Sequence, residues 1–339
     1  METSVRFEAL TLTGATIGPI ERIAGGSVTV DSSRSVEATG SITVPHDDGA
    51  VDWANILIQP WRTVDGTEWP IGAFVAVQSG HAWSGTGASA DIQIMDRTWL
   101  LQRAIRGDSY ALAAGAPVRD TVVSLIEWVG LAWHALPDAM GTVQTDVTWQ
   151  PGTTVLAIIN QLLSWHGWRR LACDGWGRFV VRPALGPTST PVTAEFISGE
   201  RFSYTPRWER AHDVSEIPNV VELTTQGSGD DPGLRVTAEN WAANDPLSLA
   251  NRPRVTFYDD VEAEDLVTLQ AQADRVLAEK RMEEVMVTVS HPWRDLAVGD
   301  GVRFASAQAG IDSTFIVQRV SIPLDTLTLQ QTMMSEVPR

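Results

Sequence analysis

Six histidines, one cysteine and 42 carboxylates are the groups of this 339-residue chain that could carry acid–base, nucleophilic or metal chemistry. The histidines are scattered. No His-Glu-x-x-His pair sets two imidazoles on one helix face, so His134 and His166, each close to tryptophan near a helix end, read as packing or surface residues. Gly107-Asp108-Ser109-Tyr110 puts a serine after a glycine. Without a Gly-x-Ser-x-Gly elbow it reads as a turn. Gly85-Thr86-Gly87-Ala88-Ser89-Ala90 imitates a dinucleotide loop, but the strand-like Asp91-Ile92-Gln93-Ile94-Met95 follows where that fold needs a helix. The acidic cluster Asp259, Asp260, Glu262, Glu264 and Asp265 has the oxygens for a divalent cation, yet helix capping accounts for the same residues. No catalytic constellation forms at a usable spacing. The reading is therefore no enzyme, with no catalytic, cofactor-binding or metal site and no cofactor.

Composition narrows the class further. Hydrophobic residues at 43% and charged ones at 20% supply a globular core. The formal charge is -17, and no basic stripe marks a sequence-reading DNA surface. A single cysteine, Cys173, excludes an internal disulfide framework. The N-terminus lacks the pattern of a signal peptide, and no apolar run reaches the roughly 18 residues of a membrane span. The charge is uneven: residues 1–112 carry a net -6, residues 113–192 net zero, and residues 193–339 net -11.

The neutral middle coincides with a change of periodicity. Before it, short alternating runs predict strands: Val5–Leu12, Ser27–Asp31, Ser41–Val44 stopping before the polar turn His46–Gly49, a hairpin around Asp65-Gly66, then Phe74–Val77 and Ala90–Met95. Within it, Val118, Val122, Leu125, Ile126 and Val129 predict a helix opened by Pro117 and closed by Gly130. A second helix is expected from Thr153 or Thr154 to Gly167, followed by a hairpin around Asp174-Gly175. Beyond it, strands are expected at 219–224, 254–258, 285–289, 301–304, 315–317 and 327–329. A long helix over about 260–284 interrupts them, capped by Asp259 and Asp260. The fold class is β-rich α+β: two antiparallel β-barrel-like domains, 1–112 and 193–339, flanking a small α+β domain, 113–192. Pro60-Trp61-Arg62 recurs as Pro292-Trp293-Arg294, a slight trace of duplication between the two ends.

The order of these patterns resembles the hub proteins of phage tail tips, the family of baseplate hubs and tail-hub minor tail proteins. Trp69-Pro70-Ile71-Gly72-Ala73-Phe74 is similar to the family's shortened hairpin running into a Gly-x-Phe strand. Ala90 to Leu101 is similar to its strand ending in Asp-Arg (Asp96-Arg97) and a Leu pair. The helix over 153–166, Gly167-Trp168, Asp174-Gly175-Trp176-Gly177-Arg178 and the strand ending at Pro183 look like its small α+β domain. Asn219–Leu223, the Ala-rich helix, His291-Pro292, Val298–Val302 and Phe315–Val317 look like its closing barrel. The resemblance implies a homotrimer whose two similar barrels per subunit form a pseudo-sixfold ring. The tail tube or distal tail protein would lie above it and tail fibre or tip proteins below, in the tail tip of a virion assembled from protein made in the host cytoplasm. The last strand lies close to Arg339, so no peptidase or fibre extension is expected there.

Two functions from different classes stand at this point. A structural hub would let DNA pass without binding it, and a negative lumen that repels phosphates fits that task. The alternative is a carbohydrate-binding module of a virion or surface protein, since the 14 tryptophans offer faces for sugar rings. Their spread from Trp53 to Trp293, together with many arginines and one lysine, favours core and subunit interface.

Overall fold

The computed structural model describes residues 2–45, 51–84, 87–132, 134–184, 190–198, 204–205, 208–212, 214, 217–225, 233–261, 263, 265–282 and 285–337. The turn His46–Gly49, Gly85-Thr86, Trp133, Glu262, Glu264 and Glu284 lie outside them. The chain forms two compact units: Met1–Pro183 with Pro292–Asp295 and Arg319–Gln331, and Ala184–His291 with Leu296–Gln318 and Thr332–Arg339. Among the described residues the fold is β-rich, with large antiparallel sheets and four α-helices.

In the first unit, strands β1 (Thr3–Leu10), β2 (Thr16–Pro19), β3 (Gly25–Asp31), β4 (Ala38–Pro45), β5 (Leu57–Val64), β6 (Thr67–Pro70), β7 (Phe74–Ser84) and β8 (Gly87–Asp96) build an antiparallel sheet. Its order runs β3-β4-β8-β7-β5-β1-β2, with β6 on β5. This path has two ends, so the described strands do not close into a barrel. The Asp-Gly hairpin forms as expected. Asp65 and Gly66 take φ of 47° and 83°, the pair of left-handed residues that a two-residue turn of matching twist needs. Where β3 crosses β4, a Cβ on Gly40 would overlap the Ser27 carbonyl, so the two backbones approach closely only because that residue is glycine.

The same unit continues through α1 (Thr98–Arg103), β9 (Tyr110–Leu112), α2 (Val118–Trp128), β10 (His134–Ala135), β11 (Val147–Trp149), α3 (Val155–Trp165), β12 (Ala172–Cys173) and β13 (Phe179–Val180). Thr154 caps α3 by accepting the Ala157 amide at 3.2 Å. Gly130 and Gly167 close α2 and α3 with φ of 81° and 70°. The predicted apolar stripes of both helices meet: Val118, Val122, Leu125, Ile126, Ile158, Ile159, Leu162 and Leu163 form one buried core with Leu101, Leu171 and Phe179.

In the second unit β14 (Val192–Ile197) lies parallel to β20 (Gly301–Ser306), and β15 (Trp208–His212) lies antiparallel to β19 (Val285–His291). Strand β21 (Ile311–Pro323) pairs β20 over Ile311–Ile316 and, over Arg319–Pro323 of the first unit, pairs β3, while β22 (Gln330–Glu336) lies between β19 and β21. A separate sheet, β17 (Arg235–Glu239), β16 (Val220–Thr224) and β18 (Thr256–Asp260), carries helix α4 (Leu266–Met282) on one face. Val221, Leu223, Val236 and Ala238 pack there against Leu269, Ala273 and Leu277.

Two expectations need correction. Asp259 and Asp260 do not cap the long helix; they end β18, paired with Leu223 and Thr224. The helix starts later, and Asp265 caps it by accepting the Thr268 amide at 2.7 Å. The strand expected at 327–329 is instead a turn. Asp325 Oδ1 takes the amides of Leu327 and Thr328 at 2.7 and 2.6 Å, so they cannot join a ladder, and β22 begins at Gln330. The repeated Pro-Trp-Arg triplets also differ in structure, since the first lies in β5 and the second in a connection without strand pairing.

Candidate functional site

His134, His166 and Ser109 lie at separate elements. His166 closes α3, with Nδ1 2.9 Å from the Leu162 carbonyl and Nε2 3.0 Å from the Thr142 carbonyl, which makes it a structural link. His134 sits in the short strand β10, and Ser109 lies exposed ahead of β9. Among the described residues no group of three or more His, Cys, Asp or Glu side chains could hold a metal ion. No described helix is long and apolar enough to cross a membrane.

The polar groups that the fold does bring together lie at Asp96-Arg97, the end of β8. Asp96 is buried and accepts the Ala38 amide at 2.9 Å, the Thr98 amide at 2.8 Å and the Thr98 hydroxyl. Burial outweighs these donors and pushes its carboxyl above the usual range. Arg97 is fully buried and ties three connections together. It donates to the carbonyls of Gly177 at 2.9 Å, Ala132 at 2.8 Å and Leu12 at 3.4 Å. Its guanidinium also stands 4.7 Å from the centre of the Phe179 ring. Gly177 must be glycine: its φ is 81°, and a Cβ there would overlap Ala73. Glu37, next to the amide that Asp96 holds, has its carboxyl pushed up to about 7. Burial is the main cause and Asp96 adds to it, against Arg169, Arg170 and Arg182.

A second buried arginine fixes a loop. Arg62 donates to the Pro323 carbonyl at 2.9 Å and to the Asp325 carbonyl, with its guanidinium 5.4 Å from the Trp293 ring. The first Pro-Trp-Arg triplet thus holds the second. The loop so fixed exposes Leu327 almost completely, at 93%.

The tryptophans divide between core and surface. Trp165 stacks on Trp149 at 5.8 Å, and Trp149 meets Tyr110 at 5.8 Å. Arg106 then lies between Tyr110 at 4.9 Å and the half-exposed Trp128 at 4.6 Å. This ladder leads from the core of the helical region to its surface. Trp61 is buried under Arg6 and against Trp176, whose ring is exposed, while Trp241 is exposed in the second unit. Sequence reasoning placed most tryptophans in core or interface without separating the two groups. The signal for the ladder, an arginine four residues before a tyrosine, was present but common.

The fold is shared with tail proteins of known structure. The chain is similar to a tail protein from Neisseria meningitidis MC58 with a TM-score of 0.71 at 16% identity, covering 99% of this chain and 97% of that one. It is similar to the 43 kDa tail protein of prophage MuSo2 from Shewanella oneidensis with a TM-score of 0.65 at 11% identity, covering 99% and 98%. It is also similar to prophage tail protein gp18 from Listeria monocytogenes EGD-e with a TM-score of 0.60 at 13% identity, covering 97% and 94%. No protein-family model matches the chain, and no curated protein matches it by sequence.

Two predictions follow from the buried joint. Arg97→Met should lower stability by about 3 kcal/mol or more, since three carbonyls lose a charged donor. Arg97→Lys should not restore it, because a point-like ammonium cannot span three acceptors. Thermal denaturation of both variants checks this, and a lysine variant as stable as the parent would refute it. For Glu37, the folded carboxyl titrates higher than the unfolded one, at about 7 against an ordinary 4.5. Its contribution to stability is present below about pH 4.5 and is lost as the pH rises through 7. Glu37→Gln should therefore be less sensitive to pH in this window, measured by denaturant unfolding from acid to slightly alkaline buffer. An unchanged slope would remove Glu37 as the cause.

Proposed function

We propose that the chain is a structural tail-hub (minor tail) protein of a bacteriophage. It forms a homotrimeric ring at the tail tip that joins the tail tube or distal tail protein to fibre or tip proteins and lets DNA pass. The observation that carries this reading is the end-to-end likeness to phage tail proteins, over 97% or more of this chain and 94% or more of each of three others. A likeness of that extent leaves no separate module to account for. In this reading the regions 1–112 and 193–339 act as two barrel-like domains around the α+β region 113–192, and the pair gives a trimer six similar elements with which to meet a hexameric tube. The protein is no enzyme, needs no cofactor, and works in the virion after synthesis in the host cytoplasm.

The acidity supports passage of DNA. Net charges of -6 and -11 at the two ends leave little to hold a duplex, and phosphates are repelled wherever these carboxylates face it. Exposed, rigidly held apolar groups such as Leu327 and Trp128 are suited to contacts with neighbouring tail proteins.

Quantitative mass analysis of intact tails should find three copies per tail. Six or twelve would sink the trimer. If the excess carboxylates line a lumen, reversing several lumenal ones to arginine should slow DNA ejection at low salt and leave it normal at high salt, with tails still assembled. Equivalent reversals on the outer surface should have no effect. Normal ejection at low salt by the lumenal variants would exclude an electrostatic role for the wall.

A further inference from the structure

Helix α4 packs on one face of the three-stranded sheet of the second unit, and the described residues of the other face are unusual. Strand alternation and register place Glu222 of β16, Arg235 and Glu239 of β17 and Tyr258 of β18 on that face, opposite the residues that pack on the helix. Trp241 follows β17, and Arg254 precedes β18. The two aromatic side chains are 61% and 58% exposed. Each nevertheless has its polar end tied down on the same face. The Trp241 indole N–H donates to Glu239 at 2.9 Å, and the Tyr258 hydroxyl lies 2.9 Å from that of Thr224. Their orientations are thus set while both side chains stay exposed.

The segment bearing Trp241 is rigid as well. Asn240 donates to Asp245 at 2.6 Å, and its backbone carbonyl accepts the Leu249 amide at 2.8 Å. Asn251 donates to the carbonyls of Ala243 and Asp245 at 3.0 and 2.8 Å. Between the aromatics lie two arginines and two carboxylates in mutual pairs. Arg235 meets Glu222 at 2.6 Å, and Arg254 meets Glu239 at 2.5 Å and Glu222 at 3.9 Å. Their charges cancel. Trp241, then Arg254, hold the Glu239 carboxyl below the usual range, so it stays ionised near neutral pH.

We propose that this face binds an uncharged polysaccharide, with Trp241 and Tyr258 as stacking platforms and the Arg–Glu pairs as hydrogen-bonding partners of sugar hydroxyls. The charge pattern selects this occupant. A phosphate polymer would meet no net positive charge, in a region that carries -11 overall. A dry protein interface would have to strip water from four charged groups at its centre, where such interfaces are depleted of charge. A sugar chain brings hydroxyls that keep those groups hydrogen-bonded and flat C–H faces that fit aromatic rings. Because both rings are already fixed, little ordering is left to oppose binding.

The test uses purified full-length protein and defined hexasaccharides of glucose, mannose, galactose and N-acetylglucosamine, with tryptophan fluorescence and calorimetry as readouts. At least one should bind saturably, with affinity unchanged between low and high salt. Trp241→Ala and Tyr258→Ala should each weaken it about tenfold or more, at an unchanged melting temperature, since both rings are exposed. Failure of every sugar to bind overturns the proposal, as does binding that survives both substitutions. So does a change in sedimenting mass on substituting Trp241 or Tyr258, which would assign the face to contact with another copy of the chain.

Discussion

A guanidinium taken wholly out of water must find its acceptors within the fold, and Arg97 finds them in three separate connections. Leu12 follows β1, Ala132 follows α2, and Gly177 closes the hairpin before β13. None of these segments is held by a continuous ladder at that point, so the charge sets where each of them runs. Removing one partner from such a buried group costs far more than a surface pair contributes. Asp96 works beside it in the opposite sense, taking the amides of Ala38 and Thr98 that would otherwise lie buried without acceptors. The order of the first unit therefore depends on two adjacent residues whose side chains face backbone rather than each other. A joint of this kind stiffens the segments that it ties together.

What could be read from the sequence follows from how local each signal was. The Asp65-Gly66 hairpin and the helices at Val118–Trp128 and Val155–Trp165 rest on turn chemistry, capping and 3.6-residue periodicity within a short span, and they stand where expected. The core stripes of those helices were legible for the same reason. The partners of Arg97 were not, because they lie 35, 80 and 85 residues away and are backbone atoms, which have no residue type to recognise. Asp96-Arg97 entered the sequence reading only through resemblance to a family. Arg62 was flagged as part of a repeat, but its contacts with Pro323 and Asp325 over 261 and 263 residues left no sequence trace.

The chain matches other structures nearly end to end at 16% identity or less. Backbone acceptors survive substitution of the residues that carry them, so a buried arginine can keep its contacts while most side chains around it change. Glycine is the exception where a close approach is involved. Gly177 offers a carbonyl to Arg97 and, having no Cβ, also clears Ala73. Fold likeness at this level does not carry function with it, so the distinguishing features of this chain must be sought in its exposed groups.

Those groups share one device with the two places where sequence reading went astray. An aspartate or asparagine that hydrogen-bonds nearby backbone gives the chain an alternative to helix or strand. Asp265 uses it to start α4 later than Asp259 and Asp260 suggested, since those two residues complete β18. Asp325 uses it to turn Leu327–Leu329, whose alternation reads as a strand, into a fixed bend. Asn240, Asp245 and Asn251 use it to hold the loop behind Trp241. In each case the backbone is satisfied locally, so the side chains of the segment need not turn inward to be ordered. Leu327 and Trp241 can then remain exposed and fixed at once, which lets a surface group meet a partner without first losing its freedom.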